Sequence, residues 1–164
     1  MTPVHPEFAP DAGLSRAEME RLQNDLAAVA VFEDAFEFDP TAVSATAGDA
    51  TQTTFERSRP DSDGGPPVVA GVDQAFTADG GQAVSAIVAS KGGEVVERVH
   101  AVEPTDIPYI PGLLSFREGG AVLSAFEALS VNPDLAVVDG SGRIHFRQAG
   151  IATHVGVMLD LPAI

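Results

Sequence analysis

Three carboxylates, Asp73, Glu118 and Asp139, fall where short sequence cues place strand interiors, strand ends and a helix start. Asp73 lies in the apolar run PVVAGVDQAF, and Asp139-Gly140 closes the run LAVV. If these runs are neighbouring strands, both carboxylates project close together at one edge of a sheet, and Glu118, opening the intervening helix, adds a third. Oxygen donors on such a frame suit hard divalent cations, and two such ions would activate a water and stabilise the leaving oxygen of a phosphodiester. Each residue also has an ordinary structural role: Asp73 at a strand end, Glu118 as a favourable charge near a helix N-terminus, Asp139-Gly140 as a turn. The chain has no cysteine, so any metal must sit on oxygen or imidazole.

The elements that would position these groups follow from periodicity and chain breakers. Ser15 and Glu18 fit a capping box, and Met19, Leu22, Leu26 and Val29 recur at helical spacing, which predicts an amphipathic helix over about residues 16–31. Residues 33–66 are acidic, rich in Ala, Thr, Asp, Gly and Pro, and without sustained period; they are expected to be a flexible linker or insertion. Residues 67–76, 82–90 and 94–102 read as three strands in a meander, with Lys91-Gly92-Gly93 as a turn. Residues 116–130 read as a helix, 135–138 as a buried strand and 152–159 as a second helix. The expectation is an α/β domain over 67–164, preceded by a helical segment over 1–32 and the linker.

The 164 residues suffice for one ordinary core, and no apolar run spans a bilayer or resembles a signal peptide, so a soluble, cytoplasmic protein is expected; a monomer is the default expectation, and the sequence leaves the oligomeric state open. The formal charge of −15 opposes nucleic-acid binding, which normally uses a basic surface. Residues 1–65 hold 13 acidic against 4 basic side chains, leaving −9, and residues 66–164 hold 11 against 5, leaving −6. Lys91 is the sole lysine, and Ala, Gly, Val and Asp prevail. This composition suits high intracellular salt, where a Debye length of roughly 3 Å at 1 M hides the net charge from a ligand. The alternative is an acidic mesophilic protein with a disordered front segment.

The stretches GVDQAF at 71–76, PYIPGLLSFRE at 108–118 and PDLAVVDGSGRIHFRQAGIATHVGV at 133–157 resemble, in order and spacing, three successive motifs of the endonuclease V family. The resemblance covers about residues 68–164, and PYIPG followed by SFRE is specific. It implies an RNase H-like fold with a mixed sheet. It also implies Mg²⁺-dependent cleavage, with Mn²⁺ able to substitute, at the second phosphodiester bond 3′ to a deaminated base such as inosine in DNA or RNA. Carried over residue by residue, the metal carboxylates fall on Asp73, Glu118 and Asp139. Pro108, Tyr109, Ile110 and Pro111 become a wedge that enters the duplex at the lesion. Two prolines would lock that loop and present the ring of Tyr109, the only tyrosine, at low entropy cost; the plain alternative is a core aromatic in a proline-rich turn.

Gly112, Leu114, Gly140 and Ile151 match positions that shape the family's base pocket, and Arg117 reads as a phosphate contact. His145 matches a family histidine near the scissile strand, able to bind phosphate or assist proton transfer. His154 also matches a family position, but on an Ala/Val-rich helix it is expected to be a packed core histidine, while His5 and His100 match nothing. Where the family usually reads His-Pro-Arg, this chain has His145-Phe146-Arg147. Without proline the loop backbone is freer, so the placement of His145 and Arg147 is left open. The resemblance runs into residues 161–164, whereas the family continues through a Gly-Val-Ala-Lys segment and further. The expectation is a fragment that lacks the fifth strand and C-terminal helices, the catalytic lysine and a late metal ligand, with the sheet edge beside the Asp139 strand left open. The same surface on an inactive chain would make a non-catalytic nucleic-acid-binding module.

Overall fold

In a computed structural model the chain is described over residues 1–34, 36–43, 65–105 and 107–164. Most of the expected linker, residues 44–64, lies outside the described residues, as does Asp106.

Helix α1 (Arg16–Val29) starts where the capping box requires: the Ser15 hydroxyl accepts from the Glu18 backbone N–H, and the Glu18 carboxylate accepts from the Ser15 N–H at 2.8 Å. Met19 and Leu26 are buried as the spacing predicts. Val29 departs from it at 53% exposure, because the helix ends there and its last turn runs past the core. Strands β1 (Val68–Phe76), β2 (Gln82–Lys91) and β3 (Glu94–Pro104) form the expected antiparallel meander. β2 and β3 are joined by Gly92-Gly93, both at positive φ, which matches the strand twist in a two-residue hairpin. Helix α2 (Leu114–Ala128) leads to β4 (Leu135–Val138), which pairs parallel with β1 and gives the sheet order β3-β2-β1-β4; helix α3 (Ile151–Leu159) follows.

The core lies on one face of this mixed sheet. Ala70 and Val72 of β1, Ile87 and Ala89 of β2 and Ala136 and Val138 of β4 face Val122, Ala125 and Phe126 of α2 and Val155 and Leu159 of α3. Leu26 of α1 packs with Phe8, Ala149 and Met158, which ties the first helix to the third.

Two expectations are corrected. Helix α2 begins two residues earlier than the periodicity suggests, so Glu118 is its fifth residue and does not open it. The sheet edge beside β4 is covered: the N–H groups of Ala136 and Val138 donate to the carbonyls of Pro162 (2.9 Å) and Ile164 (2.8 Å), and the Ile164 N–H donates back to Ala136 (3.0 Å). Residues 162–164 therefore lay down a parallel bridge where a fifth strand would run, which satisfies those donors and acceptors. No helix among the described residues is long and apolar enough to cross a membrane.

Because the capping box satisfies two otherwise orphaned groups at the start of α1, Ser15→Ala should cost about 1 kcal/mol of stability. Chemical denaturation checks this; a midpoint unchanged from the parent would show that α1 contributes little to the cooperative unit.

Candidate active site

The parallel β1–β4 pairing builds the site from the sheet outward. Val72 is in register with Val138, and one residue on, the Asp139 N–H donates to the Val72 carbonyl at 2.9 Å. Asp73, inside β1, and Asp139, just past the end of β4, therefore lie on adjacent strands one residue beyond the Val72–Val138 pair, both exposed. The condition on which their proximity depended is met. Asp73 Oδ1 accepts from the Gln74 N–H at 2.8 Å.

Glu118 comes from the second turn of α2 and is buried, at 6% exposure. Burial pushes its carboxyl above the usual range, the neighbouring Arg117 guanidinium opposes this, and the charge of Asp139 pushes it further up. Its ionised form thus works against folding, an effect absent below pH 4.5 and acquired as pH rises through the raised folded value. A buried carboxylate lifted by a second carboxylate is the electrostatic setting in which a cation lowers the energy of both. Among the described residues, however, no three His, Asp or Glu side chains converge closely enough to hold a metal ion. The donor chemistry fits a hard cation; the closed cage does not form from these residues as they stand.

The 107–112 loop presents its tip outward. Ile107 and Ile110 pack with Met19, Leu113 and Phe116, whereas Pro108 and Pro111 are exposed and Tyr109 is 64% exposed. A core role for Tyr109 is thereby ruled out. Gly112 ends the loop at φ +84°, and a Cβ there would lie 2.5 Å from Cζ of Phe146. The positive φ favours glycine, and a side chain there would also have to displace the tip of the exposed Phe146 ring. Leu114 begins α2 and packs partly against the main core. Ile151 is 1% exposed, and its side chain meets the space where a Cβ on Gly140 would go. The pair shapes the surface through the backbone of Gly140, and Ile151 itself faces no opening.

The basic and imidazole groups are largely committed inside the protein. The Arg117 guanidinium lies 4.1 Å over the Phe76 ring. Arg147, only 16% exposed, donates to Glu20 at 2.9 Å and to Oε1 of Gln23 at 3.0 Å, and lies over Phe146 at 4.4 Å. The position left open by the missing proline is thus fixed by α1. His145 Nδ1 accepts from the Arg147 N–H at 3.2 Å; burial first and the Arg147 charge second hold the imidazole below its usual range, so it is neutral at pH 7. His154 is the expected core histidine, 2% exposed, with Nε2 donating to the Phe8 carbonyl at 2.7 Å. Phe146, which stands where the family usually has proline, and Ile144, given no role in the sequence reading, are 71% and 91% exposed on the same loop.

Residues 50–164 match the sequence profile of the family described as Endonuclease V. The chain belongs to the Endonuclease V family. An endonuclease V of the halophilic archaeon Haloarcula marismortui is 60% identical over 99% of this chain and 59% of its own length. The crystal structure of the Streptomyces avermitilis endonuclease V, 31% identical, covers 90% of this chain and 54% of the other at a TM-score of 0.67. A Ciona intestinalis endonuclease V, solved with a 24mer DNA containing an inosine followed by a ribo-adenosine, shares the fold at 22% identity and a TM-score of 0.67, covering 88% of this chain and 54% of its own. The chain spans about three-fifths of the length of the curated relatives it matches. The fold is the RNase H-like one of these endonuclease V structures.

The Gly112–Phe146 contact allows a direct test. Gly112→Ala alone should destabilise by at least about 1–2 kcal/mol, from the positive φ and the ring overlap together. Phe146→Ala removes only the second cause. A double-mutant cycle should therefore show coupling above about 0.5 kcal/mol, and strict additivity would contradict the contact.

Proposed function

We propose that the protein to which this chain belongs is a metal-dependent endonuclease that nicks DNA or RNA beside a deaminated base, at the second phosphodiester bond 3′ to an inosine. The observation that carries this reading is the pairing of β1 with β4 that sets Asp73 beside Asp139, with the buried Glu118 in range of the Asp139 charge; an exposed Tyr109 on a proline-bounded loop adds to it. The inosine-containing DNA bound by the Ciona relative supports the substrate class.

Asp73, Glu118 and Asp139 would hold Mg²⁺ or Mn²⁺, which when bound supplies charge neutralisation and a more acidic water. Each side chain then has a defined task. Glu118, raised and buried, would give up its proton only to a strong opposing charge, so metal loading and its ionisation are linked. Neutral His145 is able to accept a proton or donate a hydrogen bond without adding a charge near the scissile phosphate. Tyr109 would stack in the space left by a displaced base, with Gly112 allowing the backbone to approach the base edge. Arg147 is held by Glu20 and Gln23, whereas Arg117 stacks on Phe76 through its face and keeps an Nε without a hydrogen-bond partner, which supports its reading as a phosphate contact. The acidic composition and the Haloarcula relative support operation at high salt, where long-range repulsion from a −15 chain is screened.

A second reading, a non-catalytic module with the same nucleic-acid surface, is favoured by the failure of the three carboxylates to converge. The two separate on one experiment. A single-inosine oligonucleotide is incubated with the protein at high salt while Mg²⁺ or Mn²⁺ is titrated. The nuclease reading expects a nick displaced to the 3′ side and a loss of at least about a hundredfold in Asp73→Ala. Inosine binding without any nick, unchanged in Asp73→Ala, would favour the module.

A further inference from the structure

Helix α1 buries Met19 and Leu26 and, between them, Gln23, which is 1% exposed. A glutamine in the middle of an apolar stripe is costly unless every polar atom finds a partner. Here they do, and the partners are informative. Nε2 donates to the Gly112 carbonyl at 2.8 Å and to the Ala149 carbonyl at 3.2 Å, while Oε1 accepts from Nη1 of Arg147 at 3.0 Å. Both amide hydrogens and the amide oxygen are used.

Those partners belong to two loops that are separate in sequence. Gly112 ends the Tyr109 loop; Arg147 and Ala149 belong to the loop that begins at Asp139 and carries His145. The loops also touch directly, since the Phe146 ring and the His145 imidazole both lie against Gly112, but these contacts all fall on that one residue, whereas Gln23 joins Gly112 to Arg147 and Ala149. Glu20, one turn before Gln23, holds the other terminal nitrogen of Arg147 at 2.9 Å and also accepts from Arg16 at 2.8 Å. Glu20 thus acts on one loop, whereas Gln23 acts on both.

We propose that Gln23 is a positioning residue for nucleic-acid capture: its buried amide bolts the Tyr109 loop to the His145 loop and fixes the spacing between the stacking ring and the carboxylates carried by β1 and β4. The functional part of this claim rests on the nuclease reading above; the structural part does not. Loss of the bolt should loosen the Tyr109 loop, raising KM for an inosine-containing oligonucleotide by about tenfold and changing kcat by less than about twofold.

The chain contains one tyrosine and no tryptophan, so intrinsic fluorescence reports on the Tyr109 loop without a label. Steady-state anisotropy of the free protein is compared for the parent, Gln23→Met and Glu20→Ala. Gln23→Met preserves side-chain length and removes all three hydrogen bonds; it should lower the anisotropy. Glu20→Ala removes only an Arg147 ion pair and should leave it at the parental value. A folded Gln23→Met protein with parental anisotropy overturns the proposal, as does an equal fall in Glu20→Ala. Should Gln23→Met fail to fold, the Gln23 side-chain amide in ¹⁵N-labelled parent protein decides: hydrogen exchange much slower than for an exposed glutamine supports the bolt, and exchange at the exposed rate overturns it. Failure of the parent to bind the oligonucleotide would sink the nuclease reading and leave the anisotropy result standing.

Discussion

The register of β4 against β1 is the constraint on which the site depends. Val69 pairs with Leu135 and Val72 with Val138, and the ladder is pinned at both ends. At its start the Asp134 N–H donates to the Val68 carbonyl and the Asp134 carboxylate accepts from the Val68 N–H, each at 2.8 Å; at its end the Asp139 N–H reaches the Val72 carbonyl. Side chains alternate across a sheet with period two, so a slip of one residue would turn Val138 outward and bring Asp139 against the core. The apolar cost of that slip is what keeps the two carboxylates together. The burial of Val72 and Val138 and the exposure of Asp73 and Asp139 are one fact seen from two faces.

Around that register the remaining parts are held by long-range contacts of different kinds. Helix α2 rests on β2 and β3 through Val122, Ala125 and Phe126, and so delivers Glu118 into the range of the Asp139 charge. Helix α1 acts on the loops through polar atoms, with Glu20 and Gln23 holding Arg147 and Gln23 also holding Gly112. Of the two arginines beside the site, Arg147 is held in this way, while Arg117 lies over Phe76.

Local pattern carried much of this in the sequence. The meander was legible because β-branched residues alternate between turn signals, and the start of α1 because a capping box has a fixed spacing. Asp73 and Asp139 could be set together only conditionally, since strand neighbours separated by a helix leave no local signature. Gln23 was missed although a signal existed: Met19, Gln23 and Leu26 share one helical face, and a polar residue there asks for buried partners. Those partners lie 89 to 126 residues away, beyond any periodicity. The pairing of residues 162–164 with β4 was missed for a related reason, because three residues are too short a run to show strand period. The early start of α2 at Leu114 was hidden by the glycine and leucines that precede Phe116.

The proposed cation site is at Asp73 and Asp139 on the adjacent strands β1 and β4, with Glu118, and not on the acidic surface at large. Substoichiometric Mn²⁺ added to ¹⁵N-labelled protein broadens amide resonances close to the ion. The account predicts early, selective broadening at residues 72–74, 118 and 139–140, lost in Asp139→Asn. Broadening spread over the acidic residues of the first 43 positions, with the strand ends unaffected, would contradict it.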